Sequence, residues 1–133
     1  MLYSPELLDH FANPRNPGQL PPPAVVVEVT NPVCGDLLRL SARFEGDKLA
    51  EARFLAKGCT ACLAMGSALT ELIRGRERSQ LQALREEDLE TSLGGLPTES
   101  KHVAVLGRDA VQALLAALAR ASPAGSQTAR GGT

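Results

Sequence analysis

The sequence predicts an α+β domain, a three-stranded antiparallel sheet with helices packed on one face. Three observations predict it. Leu37 to Phe44 and Leu49 to Ala56 alternate apolar with polar residues on either side of the tight connection Glu45-Gly46-Asp47-Lys48, which is a hairpin pattern. Ala24 to Val29 is β-branched and supplies a third strand. Apolar residues at helical spacing, Ala61 to Ile73 and Val103 to Leu118, follow the strands. Alternation of this kind belongs to a sheet with one face in water.

Each element has a local reason. Ser4-Pro5-Glu6 starts a helix with a capping hydroxyl, a proline at the first helical position and an acid. Leu7, Leu8 and Phe11 give that helix an apolar stripe, and Asn13-Pro14-Arg15-Asn16-Pro17-Gly18 ends it. His10, beside Asp9, reads as structural. Pro21-Pro22-Pro23 is a stiff connector. Asn31-Pro32-Val33-Cys34-Gly35-Asp36 is a turn. Met65, Leu69, Leu72 and Ile73 form one face of the helix after Cys59, closed by Gly75. Ser79 to Leu84 and Glu86 to Leu93 are short helical pieces, and Gly94-Gly95-Leu96-Pro97 is a loop. From Lys101 the spacing of Val103, Leu106, Ala110, Val111, Leu114, Leu115 and Leu118 predicts a final amphipathic helix. Residues 1–121 are expected to form one domain, and the Gly-rich, polar stretch 122–133 a disordered tail.

Composition narrows the function. The 133 residues carry a net charge of −1, so bulk electrostatics favour neither nucleic acid nor an anionic membrane. No uninterrupted apolar run approaches the roughly 18 residues that span a bilayer. The opening residues lack a basic region followed by an apolar stretch, so no secretory signal is expected and a cytoplasmic location is. Three cysteines are too few for a disulfide framework and point to metal or redox work.

The candidate site lies where strand turns into helix, at Lys57-Gly58-Cys59-Thr60-Ala61-Cys62. A cysteine at a helix N-terminus is expected to have a lowered pKa, which favours the thiolate. The hairpin returns to the end where Cys34, Gly35 and Asp36 sit, so Cys34 and Cys59 share that end of the sheet. His102, at the start of the last helix, is not placed by this geometry. Taken singly, Cys34 could be a small core residue, Asp36 a turn former and His102 a surface histidine; together they point to metal chemistry. Strand, Cys-x-x-Cys and helix is also the thioredoxin arrangement, but no aromatic precedes Cys59 and the hairpin is not a parallel βαβ unit.

At these residues the chain resembles the U-type iron–sulfur cluster assembly scaffolds, the IscU and SufU family and the N-terminal domain of NifU. The resemblance runs from Tyr3 to about Ala119. It is carried by Tyr3-Ser4, Asp9-His10-Phe11, Asn13-Pro14-Arg15-Asn16, Asn31-Pro32-x-Cys34-Gly35-Asp36, Ala52-Arg53-Phe54, Lys57-Gly58-Cys59, Thr70-Glu71 and Lys101-His102 before Asp109-Ala110-Val111. It implies a carrier rather than an enzyme. Such a carrier takes sulfur from a cysteine desulfurase, assembles a transient [2Fe–2S] cluster on three cysteines with an aspartate or histidine, and passes it to acceptor apo-proteins. The family also binds zinc at this site, so Fe2+ and Zn2+ are both implied, on a monomer or a dimer.

By position, Cys34, Asp36, Cys59 and His102 match the family's ligands. The family's third cysteine follows the histidine, where this chain has Val103. Cys62, one turn beyond Cys59, is expected to replace it. The expected site is Cys34, Asp36, Cys59 and Cys62, with His102 as an alternate or supporting ligand. The missing cysteine also favours a second role, a zinc-binding partner or regulator of a desulfurase that builds no cluster. Leu96-Pro97-Thr98-Glu99-Ser100-Lys101 keeps only Leu-Pro of the Leu-Pro-Pro-Val-Lys that a chaperone recognises in the family, so chaperone-assisted release is not implied.

Overall fold

The structure is a computed structural model that describes residues 3–33 and 35–121. The tail expected over 122–133 lies outside the described residues. The first helix, α1 (Pro5–Ala12), starts as the sequence dictates: the Ser4 hydroxyl oxygen accepts from the Leu7 N–H and its proton goes to the Leu93 carbonyl. Its buried face differs from the expected stripe. Leu7 and His10 face inward, while Leu8 and Phe11 are exposed, because the inner neighbour at His10 is a hydroxyl rather than a hydrocarbon.

The sheet is β1 (Val25–Asn31), β2 (Asp36–Glu45) and β3 (Lys48–Lys57), antiparallel in the order β1-β2-β3. The register runs from Val25↔Ala42 to Asn31↔Asp36 on one side of β2, and from Leu37↔Lys57 to Glu45↔Lys48 on the other, with a bulge at Arg43/Phe44. The hairpin strands each run one residue past both predicted ends, and β1 starts one residue later and ends two later than predicted. Leu38, Leu40, Ala42, Leu49, Ala52 and Phe54 point into the core. Arg39 and Arg53 lie on the other face, where Arg39 pairs with Glu28 at 2.8 Å.

The proline-rich segment before β1 is not only a connector. The Phe54 N–H donates to the Asn16 carbonyl at 3.0 Å, and the Gly18 N–H to the Phe54 carbonyl at 2.8 Å, so Pro17 lies parallel to β3 along its outer edge. Leu20 then tucks in, its N–H bonded to the Ser41 hydroxyl at 3.0 Å.

Helix α2 (Thr60–Ile73) packs over β3 and α5 (His102–Ala121) over β1, with α1 against α2. The short helices α3 (Arg78–Gln82) and α4 (Glu86–Ser92) and a 3-10 turn at Thr98–Ser100 lead into α5. The α2–β3 contact is close: a Cβ at Gly66 would lie 2.3 Å from the Phe54 ring, so only glycine lets the helix approach. Contrary to the sequence expectation, the stretch Thr98–Arg120 is long and apolar enough, by length and composition, to cross a bilayer. In the fold Val103, Ala104, Leu106, Ala110, Val111 and Leu114 are buried in the same core as the sheet.

A polar cluster ties α1 to α2. The Ser67 hydroxyl oxygen accepts from the Arg15 N–H at 2.8 Å and lies 2.7 Å from His10 Nδ1. With that acceptor filled, the hydroxyl proton serves the neutral imidazole. His10 Nε2 faces Glu71 at 3.7 Å, and Arg15 pairs with Asp9 at 2.6 Å. Thr70 donates to the Ser67 carbonyl and accepts from the Asn16 amide. Burial, and then Arg15, push the His10 pKa below the usual imidazole range, against the opposing pull of Glu71 and Asp9. His10 is structural, as its sequence context implied.

Candidate metal centre

Three elements start at one corner of the sheet. Asp36 opens β2, Cys59 caps α2 and His102 opens α5. The hairpin register, with Leu37 opposite Lys57, brings the start of β2 beside the end of β3, as the sequence requires. Helix α5 then delivers His102, which the sequence could not place.

The Asp36 carboxylate is 2 % exposed and lies at the centre of the group. Its Oδ1 accepts from the Cys59 N–H at 3.2 Å, and its Oδ2 lies 2.9 Å from His102 Nε2 and 3.7 Å from Cys59 Sγ. One ligand atom from each of Asp36, Cys59 and His102 lies within 4.8 Å of the other two. Ligands around a tetrahedral zinc stand roughly 3.3–3.8 Å apart, given metal–ligand bonds of about 2.0–2.3 Å. The thiol, carboxylate and imidazole therefore fit a first-row divalent cation with only small adjustment. Among the described residues, no lysine or arginine pairs with Asp36; His102 is its sole ion-pair partner.

The thiol is not pre-ionised. Burial raises the Cys59 pKa above the ordinary thiol range, and the Asp36 carboxylate adds to the rise; the N–H groups of Cys62 and Ala61 pull the other way without winning. The expected lowering at the helix N-terminus is thus overridden, first by burial and then by a neighbouring negative charge. A bound cation would take the place of the thiol proton.

The structure does not bring Cys62 to this group. Its side chain is 1 % exposed, and its thiol points at the carbonyls of Leu37 and Lys57, at 3.8 and 4.0 Å. Burial, reinforced by Asp36 and Cys59, pushes its pKa up to about 12. The physical reason is the site's position in α2, whose surface is buried nearly all round: the third residue of the helix faces the sheet. Only the Cys62 N–H reaches the corner, donating to Cys59 Sγ at 3.4 Å. Val103, at the place of the resemblance's third cysteine, is fully buried. Cys34 lies outside the described residues.

Fold and corner together define a small α+β domain that gathers a thiol, a carboxylate and an imidazole where three elements begin. The chain belongs to the NifU-like N-terminal domain family, whose model matches residues 2–122. It is 33 % identical over 111 residues to the iron–sulfur cluster assembly scaffold protein IscU 1 of Archaeoglobus fulgidus, covering 84 % of this chain and 72 % of that one. It is 42 % identical over 111 residues to the bifunctional protein NifU/MnmA of Rubrobacter xylanophilus, covering 82 % of this chain but only 23 % of that protein. The chain likewise spans 38 % of the NifU of Azotobacter chroococcum. Among solved structures, the N-terminal NifU-like protein of Brucella abortus matches with a TM-score of 0.58 at 19 % identity, covering 83 % of this chain and 77 % of that one. A candidate SUF-system scaffold, SufU of Fervidobacterium islandicum, matches with a TM-score of 0.57 at 22 % identity, over 87 % and 86 %. These structural matches bear on the fold alone, which this chain shares with both proteins.

Proposed function

We propose that this chain is an iron–sulfur cluster assembly scaffold. It takes Fe2+ or Zn2+ at Asp36, Cys59 and His102, with Cys34, two positions before Asp36 in the sequence, as a further thiolate, and holds a [2Fe–2S] cluster there as cargo. A cysteine desulfurase supplies the sulfur and acceptor apo-proteins receive the cluster, in the cytoplasm, with no turnover by the chain itself. The observation that carries this is the convergence of three ligand types within 4.8 Å around a buried carboxylate that has no lysine or arginine partner among the described residues. The relatives named as the cluster assembly scaffold protein IscU and the nitrogen fixation protein NifU support the same role. Hard and soft donors mixed at one corner favour capture with release: thiolates suit the cluster, while a carboxylate is a weaker partner for it. Anaerobic reconstitution with ferrous iron, cysteine and a desulfurase tests the proposal. Visible charge-transfer absorbance with stoichiometric acid-labile sulfide is expected; a colourless protein would overturn cluster assembly.

One observation favours a second role. With Val103 and Cys62 both buried in the core, Cys59 is the sole thiol at the corner among the described residues. A zinc-binding partner or regulator of a desulfurase needs no more. That role predicts stoichiometric zinc and a changed desulfurase rate, with no colour in the same reconstitution.

A further inference from the structure

The Asp36 carboxylate sits where another residue's side chain would ordinarily be. A Cβ built at Gly58 would lie 2.2 Å from Asp36 Oδ1, 2.9 Å from its Cγ and 3.2 Å from its Cα. Carboxylates at that separation cannot coexist with a methyl group. Nor can this one swing aside freely, because it is buried, its Oδ1 is held by the Cys59 N–H and its Oδ2 by His102 Nε2. Gly58 also has φ +148°, a conformation that L side chains rarely adopt. That backbone turn is what aims the next N–H, that of Cys59, at the carboxylate.

We propose that Gly58 is a positioning residue of the metal centre: the space left by its missing side chain is the seat of Asp36. It touches no ion. It acts through Asp36, which in turn orients His102 and meets the Cys59 thiol, so filling the seat would unfasten all three at once. The inference rests on the metal-binding reading above, and it adds that the affinity of the corner is set partly by a residue with no ligand atom.

A double-mutant cycle on the full chain tests it, with Zn2+ affinity read by competition with a chromophoric chelator. Gly58→Ala is expected to weaken Zn2+ binding by about ten- to a hundredfold, the range seen when groups that hold a ligand are lost. Added to Asp36→Ala, the same change is expected to cost no more than about twofold, because the carboxylate it displaces is already gone. An equal loss in both backgrounds would mean that backbone strain at residue 58 acts alone, and would overturn the inference. So would no loss in either. If Gly58→Ala fails to fold, recovery of a cooperative thermal transition in the double variant reads the same coupling, and a double variant just as unfolded overturns it. If the unaltered chain takes up no Zn2+ at all, the metal-binding reading itself falls and takes this inference with it; binding by the unaltered chain without coupling in the cycle removes the role of Gly58 alone.

Discussion

Two clusters in this molecule are made from nearly the same parts and do opposite things. Along α2, His10, Ser67, Glu71 and Asp9 surround Arg15. At the start of α2, His102, Asp36 and Cys59 surround no lysine or arginine among the described residues. In the first cluster the cation comes with the chain, and the buried hydroxyl has both its acceptor and donor roles filled. Such a cluster carries its own counter-charge, though Arg15 Nη1 is buried without a hydrogen-bond partner, and its value is to fasten α1 and the Asn13–Gly18 segment to α2. In the second, a buried carboxylate and a neighbouring thiol face each other with a single histidine to balance them. The difference teaches that a histidine beside an acid signifies little alone. What separates a fastening from a binding site is whether the chain supplies its own counter-charge.

The sharpest way to break the comparison is to remove the ligand at the open cluster. Cys59→Ser should weaken Zn2+ binding by more than about a hundredfold, beyond the range for groups that merely support a ligand. The fold should survive, because serine is a good helix cap at that position. Retained stoichiometric zinc would show that the corner is not the site. The matching change at the Arg15 cluster is Ser67→Ala, which strands the buried Arg15 N–H and the His10 ring. It should cost about 1–3 kcal/mol by urea denaturation and leave zinc affinity alone. Loss of zinc in that variant would mean that the two clusters are not independent. Cys62→Ala sharpens the contrast within α2 itself: about 1 kcal/mol of stability lost by packing, with metal content unchanged. A metal-free Cys62→Ala protein would restore Cys62 as a ligand.

The smallest effect is in acid. The folded pKa of His10 is lowered, so neutral His10 contributes stability that is fully present above its unfolded value of about 6.5 and is lost as pH falls through the lowered folded value. Melting temperature should therefore decline below about pH 6.5 more steeply in the unaltered chain than in His10→Gln. Parallel declines would mean that Glu71, Asp9 and Arg15 compensate the charge.

Much of this was legible in residue order. Alternation in Leu37 to Phe44 and Leu49 to Ala56 fixed the hairpin, and the hairpin alone put Asp36 and Cys59 at one end. His102 is not placeable from sequence, because α2, two short helices, a 3-10 turn and the loops between them separate it from the sheet, and only tertiary packing of α5 decides where its first residue lands. The stripe on α1 was misjudged for a related reason: apolar spacing cannot register that a histidine is the inward residue when its partner, Ser67, is 57 positions away. Cys62 shows the limit of motif spacing. Cys-x-x-Cys at a helix start brings two sulfurs together only if the helix leaves that side open, and α2 buries Ala61, Cys62, Ala64 and Met65 alike. The expected lowering of the Cys59 pKa is reversed because tertiary packing buries the thiol, and because a helix terminus is a weak partial charge beside the full charge of the wrong sign on Asp36.

The Pro17 segment lying against β3 has a consequence for how copies of this chain can meet. Unpaired strand edges are templates for aggregation, and proline, which lacks an N–H, cannot extend a ladder. With β3 bridged there at Phe54 and again at Lys48, β1 is the flank to which, among the described residues, no further segment is bridged. Any strand-to-strand association is therefore self-limiting: two molecules can join flank to flank, and neither then offers a surface on which a third could grow.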